Sequence, residues 1–220
     1  MSIDNQKDGK GKFMPPRTAS RPNQAINATL DLVKGRTTHT VPINIGAGII
    51  EMIASKATKE KFIAKATNEL KLSIVGYVTG KTIKTAIEEL TLAQLFVLTQ
   101  KVNELVAATN FFWAIKRDDE GEPIFWKLRR DYPETVNRKT KSKGKYQRRN
   151  RRWSISLLVN MPVLERFYQK LERLIGEATG NPIVLDVPIP HITLFVKGKS
   201  LDGIGLGSQA EFDLYKVKRF

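Results

Sequence analysis

The stretch from Arg151 to Gly198, RRWSISLLVNMPVLERFYQKLERLIGEATGNPIVLDVPIPHITLFVKG, constrains the fold more than any other part of the chain. WSISLLVN has the length and the Ile/Val content of a strand. MPVLERFYQKLERLIGEATG repeats its apolar residues at helical spacing, with Pro162 in the first turn and Gly180 just past the end. Those are the positions where proline and glycine suit a helix best. PIVLDVPIP then leads into HITLFVKG, a second strand. Strand, helix and strand in close succession call for a sheet with helices laid on it, an α/β or α+β domain.

The rest of the chain extends this pattern. Residues 1–26 are polar, rich in Pro, Gly and Lys, and lack periodicity; they read as a disordered basic arm ahead of one domain over 27–220. RTTHTVPINI is a strand of β-branched residues. In GAGIIEMIASKATKEKFIAKATNELK, residues Ile49, Ile50, Ile53, Phe62, Ile63 and Ala66 recur at helical spacing, as one interrupted helix or two short ones. LSIVGYV reads as a strand. TIKTAIEELTLAQLFVLTQKVNELVAAT is the longest helical stretch, with Ile83, Ile87, Leu90, Leu95, Leu98, Val102 and Leu105 on one side. FFWAIKRDDEGEPIFWKLRR reads as a hairpin of two aromatic strands, its Trp113, Trp126, Phe111 and Phe125 as core. GIGLGSQAEFDLYKVKRF is a Gly-rich loop followed by a terminal strand.

Charge narrows the partners. The chain has 37 Lys+Arg against 22 Asp+Glu, a net charge of +15. Such an excess concentrates phosphates near the surface and points to a polyanion, RNA first. Cysteine is absent, which excludes disulfides and thiolate metal sites. Apolar runs such as AQLFVL and ISLLV are too short to span a bilayer, and no secretory leader is legible. The expected setting is cytoplasmic, away from membranes. The run from Arg138 to Arg152 carries nine Lys/Arg and no acid. Arg138, Lys139, Lys141, Lys143, Lys145, Arg148, Arg149, Arg151 and Arg152 would neutralise phosphates, while Tyr146 and Trp153 stack on bases.

Two glycine motifs are weak. GYVTGKT, Gly76 to Thr82, has three residues between its first Gly and the Gly-Lys pair. A phosphate-binding P-loop needs four, because its backbone must surround the phosphate. GIGLGS, Gly203 to Ser208, has Gly-x-Gly-x-Gly with no helix signature directly after it. It reads as a glycine-lined wall or a plain turn.

The chemistry-bearing pair is in PHITLF. In a strand, residues i and i+2 share a face, so His191 and Thr193 project together while Ile192 and Leu194 enter the core. An imidazole exchanges a proton near neutral pH, and a hydroxyl bonds a phosphate oxygen without adding charge. No cluster of His and carboxylates suggests a metal, and no cofactor is expected.

This order of parts, a strand, a helix entered near a proline, PHITLF and then GIGLGSQAEF, resembles the C-terminal lobe of the two-histidine (2H) phosphoesterase superfamily. That superfamily includes the 2′-5′ RNA ligase-like proteins and RNA cyclic phosphodiesterases. The resemblance covers roughly residues 150–215. It implies a two-lobed fold of antiparallel sheets with flanking helices around a central cleft. It also implies a second histidine motif, for which His39 in RTTHTVPINI is the candidate. Val41 stands two residues after it, where the family has Thr or Ser; either Thr37 or Thr40 would supply the hydroxyl instead. The implied activity is a metal-independent phosphodiesterase acting on 2′,3′-cyclic phosphate ends, 2′-5′ linkages or a small cyclic nucleotide. One imidazole would take a proton and the other would give one. The alternative is a non-catalytic RNA-binding protein on the same fold with a degenerate first half-site.

Overall fold

The computed structural model describes residues 30–132, 150–198 and 203–220. The arm over 1–26 lies outside the described residues. So do Arg138, Lys139, Lys141, Lys143, Lys145, Tyr146, Arg148 and Arg149 of the basic run. The described chain is a mixed α/β fold of five α-helices on an antiparallel sheet of eight strands.

The elements run β1 (His39–Pro42), α1 (Ala47–Lys59), β2 (Ile63–Ala64), β3 (Lys71–Val75), α2 (Tyr77–Ala86) and α3 (Leu92–Ala108). There follow β4 (Ala114–Ile115), β5 (Phe125–Tyr132), β6 (Asn150–Asn160), α4 (Val163–Thr179), β7 (His191–Lys197), α5 (Gln209–Tyr215) and β8 (Lys216–Arg219). The strands order as β1-β3-β7-β6-β5-β8, with β2 added to β7 and β4 to β6. β7 is thereby flanked by β3 and β6, which places PHITLF in the middle of the sheet.

One face of the sheet builds the main core. Val41, Leu72, Ile155, Leu157, Ile192 and Leu194 meet Leu98, Val102 and Val106 of α3 and Phe167, Leu171 and Ile175 of α4. Removing this much apolar surface from water is the main force holding sheet to helices. The Tyr168 hydroxyl donates to the Ile74 carbonyl at 2.9 Å, fixing α4 against β3. The opposite face carries a smaller core of Leu128, Leu158, Ile204, Leu206 and Phe212.

Several elements differ from the sequence reading, each for a local reason. The long helical stretch is two helices. α2 ends at Ala86, and Thr91 restarts the chain as α3 through a capping box with Gln94, satisfying two otherwise unbonded backbone N–H groups. α1 stops at Lys59, where Lys61 turns with φ +62°. Ile63 is therefore not helical but pairs with Val196 of β7. The aromatic hairpin is mostly undone: β4 pairs with β6, and only the bridge from Arg117 to Pro123 closes the turn. Phe111 and Trp113 are instead drawn into the main core, as is Phe125. GYVTGKT forms no loop, because the helix begins at Tyr77 directly after Gly76. α5 is an addition, capped by Ser208, whose hydroxyl accepts from the Glu211 N–H.

Candidate functional site

The placement of the two histidines follows from strand register. Val41 lies opposite Leu72, and Leu72 lies opposite Ile192. Residues directly across a sheet share a face, so these three form a row pointing into the main core. His39 lies opposite Val75, beyond a break in the register, so its face is given by its neighbours, and Val75 and Phe111 both belong to the main core. His39 is 1% exposed, and its ring centroid lies 6.2 Å from that of Phe111, which packs edge-on against Phe167 of α4. The register slips between His39 and Thr40, yet the contact with Phe111 keeps the ring on the core side. His191 is one residue from Ile192 and points the other way. The two imidazoles stand on opposite faces of one sheet, so they do not form a shared acid–base site.

On its own face His191 has company. It lies opposite Leu158 in the pairing of β7 with β6, and Thr193 lies opposite Ser156, their hydroxyl oxygens 3.5 Å apart. Together with Lys65, Glu69, Lys71, Ser73 and the backbone of Gly203–Gly205, His191 and Thr193 line a pocket of about 190 Å³. The glycine wall is tight: a Cβ on Gly203 would lie 2.3 Å from Thr193 Oγ1. GIGLG thus acts as a wall, anchored by the buried Ile204 and Leu206.

Both ring nitrogens of His191 face main-chain oxygens. Nδ1 lies 2.7 Å from the Ile189 carbonyl and Nε2 lies 3.1 Å from that of Ile204. Burial lowers the His191 pKa below its ordinary value, against the pull of these two carbonyls. A neutral imidazole has one N–H, so it donates to one carbonyl and presents a lone pair towards the other. Each nitrogen therefore has a main-chain oxygen as its near neighbour. The hydroxyls of Thr193 and Ser73 and the ammonium groups of Lys71 and of Lys65, which also pairs with Glu69 at 4.0 Å, are the groups suited to an anion there.

Thr37 and Thr40, the alternative hydroxyls for His39, open elsewhere. Both line a cavity of about 1000 Å³ beside α2. Thr40 lies opposite Ser73 on β3, one row from the His191 pocket. Thr37 is packed under α2, its Oγ1 2.8 Å from where a Cβ on Gly80 would sit.

Of the basic run, Arg151 and Arg152 are described. Arg151 Nε donates to Asp131 at 3.1 Å, and Arg152 lies across from Arg130. Trp153 is covered by Lys127 at 5.0 Å and Arg129 at 5.6 Å from its ring, which leaves it poorly placed to stack on a base. Acids along β5, β6 and β8 already hold several of the cations there. Glu60 pairs with Lys127 and Lys218, Glu211 with Arg130, Asp213 with Lys216, and Asp118 with Arg219.

Sequence reasoning missed Lys65, Lys71 and Ser73. The signal was present in KLSIV, whose Lys71 and Ser73 alternate around Leu72 as His191 and Thr193 do around Ile192. Among the described residues no group of three His, Cys, Asp or Glu could hold a metal ion, and no helix is long and apolar enough to cross a membrane.

The chain was compared with protein-family models, curated proteins and solved structures. It matches none of them.

Proposed function

We propose that this protein binds RNA without hydrolysing it. The observation that carries the reading is the placement of His39 and His191 on opposite faces of the sheet. Two-histidine catalysis needs one ring to accept a proton and the other to donate one across a single phosphate. Here one ring is in the core and the other has both nitrogens against carbonyls. What remains is recognition. The net charge of +15 favours a polyanion. The pocket of Lys65, Lys71, Ser73 and Thr193 offers ammonium groups and hydroxyls to a phosphate.

The competing reading is a metal-independent phosphodiesterase on a two-lobed two-histidine fold, acting on 2′,3′-cyclic phosphate ends or 2′-5′ linkages. Its support is that His191 and Thr193 line one pocket. It requires a second proton carrier on that face, where Lys65, Glu69 and Lys71 are the titratable groups in the lining.

Fluorescence anisotropy with labelled single-stranded RNA tests the binding reading. Affinity is expected to fall with the logarithm of salt concentration, with a slope of about −0.7 for each phosphate neutralised. No binding at low salt, or binding insensitive to salt, would overturn it.

A further inference from the structure

A cavity larger than the His191 pocket lies apart from it and from the basic run. It lies between the turn at Asp31–Arg36, the segment Thr37–Thr40 and helix α2, with a volume of about 1000 Å³. One stripe of α2 faces it. Tyr77, Lys81 and Lys84 are spaced four and three residues apart, as neighbours on one helix face must be. The buried side of the same helix is Thr79, Gly80 and Ile83.

Three cations line this cleft: Arg36, Lys81 and Lys84. Among the described residues Lys81 and Lys84 make no ion pair with a carboxylate, in contrast to the internally paired cations of β5, β6 and β8, while Arg36 shares the charge of Asp31 with Lys34. Of the two acids in the lining, Asp31 is already held by Lys34 at 3.1 Å, which leaves Glu88. Tyr77 is 80% exposed, so its ring is open to a stacking partner. Hydroxyls of Thr38, Thr40 and Thr85 complete the wall. Unpaired cations along a groove beside an exposed ring are the two elements of single-strand recognition: charge tracks the backbone and the ring stacks on a base.

We propose that this cleft seats a short segment of single-stranded RNA, with phosphates on Arg36, Lys81 and Lys84 and a base stacked on Tyr77. The assignment rests on the RNA-binding reading and gives it a location. A volume of about 1000 Å³ is at the upper end for small-molecule pockets, and three cations suit the several phosphates of a strand better than the single phosphate of a mononucleotide.

The test is anisotropy of an eight-nucleotide labelled RNA with the full chain. The variants are Lys81→Ser/Lys84→Ser, Tyr77→Ala and, as a charge-matched control, Lys59→Ser/Lys170→Ser. All replaced side chains are exposed, so an unchanged melting temperature verifies each fold. The Lys81/Lys84 variant is expected to lose more than about tenfold in affinity and to flatten the salt slope by about 1.4. Tyr77→Ala is expected to lose about tenfold with the slope unchanged. The control is expected to lose less than threefold. If wild type binds RNA and both cleft variants match the control, the cleft assignment is wrong while the RNA reading stands. If wild type does not bind, both fall. If AMP displaces the eight-mer at an equal concentration, the cleft is a nucleotide site and the strand assignment is overturned.

Discussion

Replacing His39 by alanine separates packing from catalysis. The side chain is 1% exposed and sits against Phe111, which in turn contacts Phe167. Truncation leaves a ring-sized void beside Phe111. Large-to-small changes at such sites cost about 2–5 kcal/mol, made up of lost transfer energy and the residual cavity. We expect His39→Ala to lose about 3 kcal/mol. With a urea dependence of about 2–3 kcal/mol/M, that lowers the unfolding midpoint by about 1–1.5 M. The assay is urea unfolding of the full chain followed by tryptophan fluorescence and circular dichroism. An exposed catalytic histidine would behave otherwise, because surface substitutions away from special features stay within about 0.5 kcal/mol. A midpoint for His39→Ala that matches wild type would refute the placement of this ring in the core.

Other sites give sharper contrasts. Gly203→Ala places a Cβ 2.3 Å from Thr193 Oγ1, whereas Gly205→Ala meets nothing within 4 Å. Thermal melts are expected to show a loss of about 1–3 kcal/mol for the first and less than about 0.5 kcal/mol for the second; equal effects would contradict the glycine wall. Thr91→Ala removes the capping box of α3 and is expected to cost about 1 kcal/mol, read by urea unfolding. Burial depresses the His191 pKa below its ordinary 6.5, so the unfolded chain takes up that proton first on acidification. Its contribution to stability is full above about pH 6.5 and is lost as pH falls towards the lower folded value. Unfolding at pH 7.5 and 5.5 is expected to show this loss, and His191→Gln to reduce it; an undiminished pH difference in the variant would contradict the burial.

The sheet-and-helix character was legible because it rests on local patterns. The α4 region shows this best, with Pro162 and Gly180 at its ends and its apolar face at helical spacing. The helix breaks were legible in principle, since Thr91 and Gln94 carry a capping-box signature and Ser208 stands three residues before Glu211. The shared face of His191 and Thr193 was also legible, because alternation along one strand is a local property. The relative face of His39 was not. It depends on how β1 and β7 register against β3, and a shift of one residue turns every side chain to the other face. Lys71 and Ser73 were missed for the same reason, since only the insertion of β3 between β1 and β7 brings them beside His191. The cleft at Tyr77 was masked by its resemblance to a short P-loop, which helix formation from Tyr77 dissolves.

The most direct test of a binding protein without paired-histidine catalysis is one incubation read twice. Labelled single-stranded RNA ending in a 2′,3′-cyclic phosphate is mixed with excess protein in EDTA, then resolved for complex and for product. The expected result is a salt-sensitive complex whose RNA end stays cyclic, in wild type and in His191→Ala alike. Ring opening by wild type that is lost in both His39→Ala and His191→Ala, with both variants still folded, would contradict it.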